Sequence, residues 1–115
     1  MRDGQLLDIS IRQGSTFEWT IAVKDATDPT LPQDLTGMTV AGKLRKSYSN
    51  ATATSFTVTT PNPINGQAKL TLTATATAAL SPGKYVYDVE VTDTQGVSTC
   101  LYYGRVLVVP EATKP

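Results

Sequence analysis

The stretch Gln13-Gly14-Ser15-Thr16-Phe17-Glu18-Trp19-Thr20-Ile21-Ala22-Val23 carries the reading that decides the fold. A polar, glycine-containing turn opens onto a segment in which Phe17, Trp19, Ile21 and Val23 alternate with Glu18, Thr20 and Ala22. A period of two sets the large apolar side chains on one side of an extended backbone and the polar or small ones on the other. Such a segment is a strand with one face buried and one face wet. Further along, Asp34-Leu35-Thr36-Gly37-Met38 leads into residues 39–45, with Met38, Val40 and Leu44 on one face. Gly42 inside that strand indicates a bulge or a close backbone approach. Leu80-Ser81-Pro82-Gly83 then opens residues 84–92, where Tyr85, Tyr87, Val89 and Val91 face one way and Val86, Asp88 and Glu90 the other.

The remaining segments fill in the same pattern. Residues 7–11 place Leu7, Ile9 and Ile11 inward, and residues 55–60 carry Phe56 and Val58. Asn65-Gly66 between two alternating runs is a hairpin signal, because both residues tolerate the positive φ of a type I′ turn. Residues 67–73 then bury Ala68, Leu70 and Leu72. Residues 73–80 alternate Thr and Ala as a strand would, yet their alanine content and the Ser81-Pro82-Gly83 stop favour one helical turn at about 75–80, with Leu80 plugging the core. Thr94-Gln95-Gly96 turns the chain into a last strand, 97–109, where Arg105 interrupts an apolar run and Gly104 suggests a bulge. Residues 25–33 and 47–54 read as polar loops. The expectation is all-β: a single immunoglobulin-like antiparallel β-sandwich of about seven strands, one domain over 1–115 with its core in 6–109 and a polar tail at 110–115.

Bulk properties narrow the function. A chain of 115 residues buries roughly 65% of its unfolded surface, enough for one core without staples. Ten acids balance ten bases, which argues against a nucleic-acid-binding surface with its clustered cations. Lys43, Arg45 and Lys46 are the densest basic group, and strand alternation puts Lys43 and Arg45 on a solvated face. The single cysteine, Cys100, excludes an internal disulfide and reads as a buried, inert thiol in an apolar run. The N-terminal residues lack the apolar core of a signal peptide, and no stretch approaches the ~18 apolar residues of a membrane span. Synthesis in the cytoplasm and later assembly into a larger object is the corresponding expectation.

Catalytic chemistry finds few candidates. With no histidine, imidazole general bases, imidazole-ligated metals and Ser–His or Cys–His nucleophile pairs are excluded. One cysteine rules out a zinc cluster within the chain, and no glycine-rich phosphate loop opens a helix. Asp88 and Glu90 share a strand face about 7 Å apart, a spacing open to a glycosidase pair. Cross-strand pairing with Lys43, Arg45 or Arg105 is the simpler role. Asp25, Asp28 and Asp34 could gather round calcium, but their spacing fits no known cage. Asn50-Ala51-Thr52 matches a glycosylation acceptor in a chain with no secretion signal. Neither cofactor nor metal is expected. Among the aromatics Trp19 reads as core and Tyr48 as exposed on a loop. Tyr102 and Tyr103 point to opposite faces, so one of them is outside or in an interface.

Taken in order, Arg12-Gln13-Gly14-Ser15-Thr16-Phe17, Asp34-Leu35-Thr36-Gly37-Met38-Thr39 and the segment from Leu80-Ser81-Pro82-Gly83-Lys84-Tyr85 to Val91 resemble the small β-sandwich of tailed-phage virion proteins, including the N-terminal domain of the phage baseplate upper protein. The resemblance runs over about residues 9–109. It implies a structural, non-enzymatic role that holds fibre or receptor-binding components at the tail, in multiple copies, against other virion proteins of baseplate, tail fibre or capsid. It supplies no catalytic residues, no nucleic-acid contact and no membrane contact. The baseplate protein continues past this domain, whereas this chain stops, which implies a free-standing adaptor or decoration. A capsid decoration protein and a carbohydrate-binding module are the alternatives, the latter wanting exposed coplanar aromatics. The surface expected to dock is the last strand, used as an edge strand with the tail: Tyr102, Tyr103, Arg105, Leu107 and Pro110.

Overall fold

Nine strands and two short helical turns form two packed sheets in the computed structural model, which describes residues 4–25 and 27–112. The last residues of the tail expected at 110–115 lie outside the described part. In chain order the elements are β1 (Gln5–Leu6), β2 (Ile9–Arg12), β3 (Phe17–Ala22), β4 (Thr39–Arg45), β5 (Thr54–Ser55), β6 (Thr57–Asn62), a 3₁₀ turn (Pro63–Asn65), β7 (Gln67–Leu72), α1 (Ala74–Ala78), β8 (Gly83–Thr92) and β9 (Ser98–Val109). The larger sheet runs β1-β9-β8-β4-β5, with β2 also paired to β9, and the smaller is β3-β7-β6. The all-β sandwich expected from the alternation is therefore the fold.

Period-two burial fixes what lies between the sheets. Ile21, Leu35, Val40, Leu44, Phe56, Ala68, Leu70, Leu72, Leu80, Tyr85, Tyr87, Val89, Val106 and Val108 are buried. Gly42 faces this core: a Cβ there would come within 3.0 Å of the Phe56 ring and 3.1 Å of a Leu70 methyl. It is the close approach, without a register shift in β4. Trp19 is only half-buried, packed edge-on to Tyr87 at a ring-centroid distance of 6.0 Å and tilted against Tyr102 at 5.1 Å.

Four local expectations are corrected. The sandwich is not wholly antiparallel, because β1 and β2 both run parallel to β9. Asn65-Gly66 makes no type I′ turn. Pro63 starts a 3₁₀ turn instead, and among the described residues only glycines have positive φ, Gly66 at 73°. Proline's fixed φ suits the first helical position, so the prolines decide the turn. The helical turn starts a residue earlier than expected, since the Thr73 hydroxyl caps it by accepting from the Ala76 N–H at 3.1 Å. The bulge lies at Leu101, not Gly104: Val89 pairs with Tyr102 and Glu90 with Cys100, leaving Leu101 unpaired.

Gly104 has a different reason. Its missing Cβ leaves space for the Leu7 carbonyl, which approaches too closely for any side chain. Tyr87 lies across from Gly104 in the ladder, and its hydroxyl donates to that same Leu7 carbonyl. Burial is the first cause that raises the Tyr87 pKa, followed by the Asp8 carboxylate. The tyrosine thus stays a neutral donor and pins the crossing from β1 to β2 against β9.

Candidate interaction face

β9 is the centre of the candidate site, and its neighbours set which side chains it offers. With β8 on one side, and β1 along Tyr102 and Tyr103 and β2 along residues 106–109 on the other, β9 is flanked on both sides from Tyr102 onward. The last strand is therefore no edge, and what it presents is a face. After the Leu101 bulge, Tyr102, Gly104, Val106 and Val108 face the core side while Tyr103, Arg105 and Leu107 face outward. Of the five residues expected to dock, the structure brings Tyr103, Arg105 and Leu107 together on one exposed face. Tyr102 is separated from them, half-buried against Trp19. Pro110 is exposed just beyond the end of β9.

Register extends this face over the larger sheet. Leu6 pairs with Tyr103 and Ser10 with Leu107 on one side, and Tyr103 faces Asp88, Arg105 faces Val86 and Leu107 faces Lys84 on the other. One strand further, Asp88 is opposite Lys43, Val86 opposite Arg45 and Glu90 opposite Ala41. Leu6 (64%), Leu107 (47%) and Tyr103 (40%) rank among the chain's exposed large apolar residues. An aromatic, an arginine and aliphatic flanks on a rigid sheet form the composition from which interface anchors are drawn. Leu6 was missed by the sequence reading, since only the parallel pairing of β1 to β9 brings it beside Tyr103.

Between β4 and β8 the same face holds a shallow groove of about 330 Å³, whose rim includes Lys43, Arg45, Tyr48, Asp88 and Glu90. Arg45 shapes it by donating to the carbonyls of Asn50 at 2.8 Å and Ala51 at 3.1 Å, which holds the loop carrying Tyr48. Lys43 and Asp88 are opposite each other, yet among the described residues the ion pair that forms is Glu18–Lys69 at 2.6 Å, on the smaller sheet. The cross-strand pairing expected for Asp88 and Glu90 is thus not made among the described residues. Arg105 is tied down through its backbone, whose N–H donates to Asp8 Oδ1 at 3.0 Å, leaving its guanidinium outward.

Cys100 sits beside Glu90 and is partly buried rather than buried. Desolvation first, then the charges of Asp88 and Glu90, push its thiol pKa up. A Cβ on Gly4 would come within 2.6 Å of its sulfur, so the first described residue covers it. Both effects keep the thiol protonated and a poor nucleophile. The loop aspartates serve their own turns: Asp25 Oδ1 accepts from the Thr27 and Asp28 N–H groups and Asp28 Oδ1 from Thr30. Among the described residues no group of three or more acids and cysteines gathers as a metal site. Tyr48 and Tyr103 are both exposed on the outer side, without a ring contact between them. No described helix is long and apolar enough to cross a membrane.

No family model matches the chain, and no curated protein matches it by sequence. Among solved structures, the N-terminal domain of phage TP901-1 ORF48 shares the fold, at a TM-score of 0.52 and 12% identity over 87% of this chain and 82% of that one. The Listeria monocytogenes internalin-like protein lmo2027 aligns at a TM-score of 0.43 and 20% identity over 90% of this chain and 27% of its own.

Proposed function

We propose that this β-sandwich is a structural module of a tailed-phage virion, a non-enzymatic tail or baseplate adaptor that joins fibre or receptor-binding components by protein–protein contact. The observation that carries the reading is the sandwich shared with the N-terminal domain of a phage protein over 87% of the chain, together with the ordered motifs that resemble the baseplate upper protein. The outward residues Tyr103, Arg105 and Leu107, with Leu6 beside them, form the docking face. A pre-formed sheet surface orders few side chains on binding, which suits an adaptor held in multiple copies by its neighbours.

Two measurements test this. Immunogold electron microscopy of intact particles, with antibody against this chain, should label the tail end. Gold over the head would make it a capsid decoration protein, and unlabelled particles would remove the virion reading. Tyr103→Ala and Arg105→Ala should fold normally and lower the copy number per particle. Unchanged copy number in both would place the docking surface elsewhere.

A further inference from the structure

Charge is not scattered over the outer face of the larger sheet. Glu90 and Asp88 occupy successive outward positions towards one end of β8, and Lys84 lies towards the other. Arg105 on β9 and Arg45 on β4 flank Val86, between Asp88 and Lys84. One end of the face is thus acidic, with Lys43 as its exception, and the other basic, with Asp8 at its margin. Among the described residues none of these side-chain charges is used in an ion pair within the chain. A surface that meets its own copy about a two-fold axis must carry its own complement, and this face does.

We propose that the outer face of the larger sheet binds a second copy of this chain, face to face with strands reversed. This rests on the docking face assigned above and names its occupant. A two-fold axis lying across the strands, between the rows of Asp88 and Val86, stacks β8 on β8 and β9 on β9. Glu90 then meets Lys84 of the partner subunit. Asp88 falls between Arg45 of the partner subunit and Arg105 of the partner subunit. Tyr103 lies over Arg105 of the partner subunit, a cation–π geometry, and Leu107 packs near Cys100 of the partner subunit. Lys43 against Arg45 of the partner subunit is the one like-charged contact, and Asp88 lies next to both.

The area bounds the affinity. Strands β2, β9, β8 and β4 span about 19 Å and residues 100–107 about 25 Å, so roughly 500 Å² is covered on each copy. A total near ~1,000 Å² is the lower limit for a specific interface, which gives a weak dimer that forms at high local concentration. Screening should dissolve it further, since its specificity is electrostatic.

Sedimentation equilibrium of the full chain tests this. The wild type should dimerise with a Kd of about 10–300 μM in ~50 mM salt, weakening at least threefold in ~0.5 M salt. Glu90→Lys and Lys84→Glu should each weaken the dimer about tenfold or more. Glu90→Lys combined with Lys84→Glu on one chain should restore it to within about threefold, because the two-fold axis rebuilds both pairs in swapped form. A wild type that stays monomeric at ~1 mM, or a double variant no stronger than the singles, overturns the proposal. Particle content separates this from the docking face itself. Monomeric wild type with reduced incorporation of Tyr103→Ala means that the face is right and its occupant foreign. Dimeric wild type with normal incorporation means that the dimer stands and the virion docking surface is elsewhere.

Discussion

Gln13 is the buried polar side chain on which the ends of the sandwich converge, and Gln13→Met tests what it holds. The residue is 8% exposed. Its Nε2 donates to the Leu80 carbonyl at 2.9 Å, and its Oε1 accepts from the Glu111 N–H at 3.3 Å. One amide thus joins the turn after β2, the segment leaving α1 and the chain leaving β9. Methionine keeps the length and nearly the volume, so no cavity opens and the change reports the polar contacts. The stranded Leu80 carbonyl should cost about 1–2 kcal/mol, and the longer, half-buried Glu111 contact about 0.5–1. Burying a thioether in place of an amide returns part of this, leaving a net loss of about 1–2 kcal/mol. With a urea m-value of about 2 kcal/mol/M, the unfolding midpoint should fall by roughly 0.5–1 M. Amide hydrogen exchange supplies the local readout: Glu111 should lose its protection while the Val106 and Val108 amides keep theirs until global unfolding. A midpoint within ~0.2 M of wild type, with Glu111 exchange unchanged, would refute the argument that this amide fastens the C-terminal segment.

Four more outcomes follow from single contacts. Gly104→Ala should destabilise by about 2–4 kcal/mol, because its methyl needs the space of the Leu7 backbone. Tyr87→Phe, which removes only the hydroxyl bonded to that carbonyl, should cost about 1 kcal/mol in the same urea titration. The Asp34 carboxyl, bonded to the Thr36 hydroxyl and N–H, should titrate below the ordinary aspartate value by NMR. Its contribution is then present above the unfolded-state pKa and lost as the pH falls through the lower folded-state value, so Asp34→Asn should matter at neutral pH and lose its effect in acid. Lys69→Met should change stability by less than about 0.5 kcal/mol, since its ion pair with Glu18 lies in solvent.

Which parts of the fold the sequence displays follows from where period-two alternation is uninterrupted. In β3 and β7 every large apolar residue is two positions from the next. In β4 Gly42 takes the inward place between Val40 and Leu44, and in β8 Val86 adds one apolar residue on the outer face, yet the expected inward residues are those that pack. The last strand breaks the period, because Leu101 and Tyr102 are consecutive and both lie towards the core. A bulge absorbs that mismatch at any residue type, so the glycine three positions on misdirected the reading. The glycine signal was real, but it marked the Leu7 carbonyl, a neighbour from the far end of the chain. Likewise the Asn65-Gly66 signal was local, whereas Pro63 and the packing of Gly66 under the Val23 and Gln33 carbonyls settled the turn.

The candidate site shows the same limit with a larger consequence. Tyr103, Arg105 and Leu107 share a face by alternation alone, so the sequence was enough to group them. It was not enough to say how the strand would be used. Parallel pairing between residues 5–12 and 102–109 joins the two ends of the chain, and no local motif announces it. Before that pairing is known, the last strand is a free edge and its partner should add a strand. After it, the strand is flanked on both sides over residues 102–109, and an incoming chain gains nothing from main-chain contact there. Recognition must then be read from side chains standing off a flat sheet, whose energy is concentrated in a few anchors and whose specificity comes from charge. The N-terminal strands therefore do two things at once. They replace the long β9 edge by two short strands, an edge less open to aggregation, and by placing Leu6 beside Tyr103 they widen the face that remains.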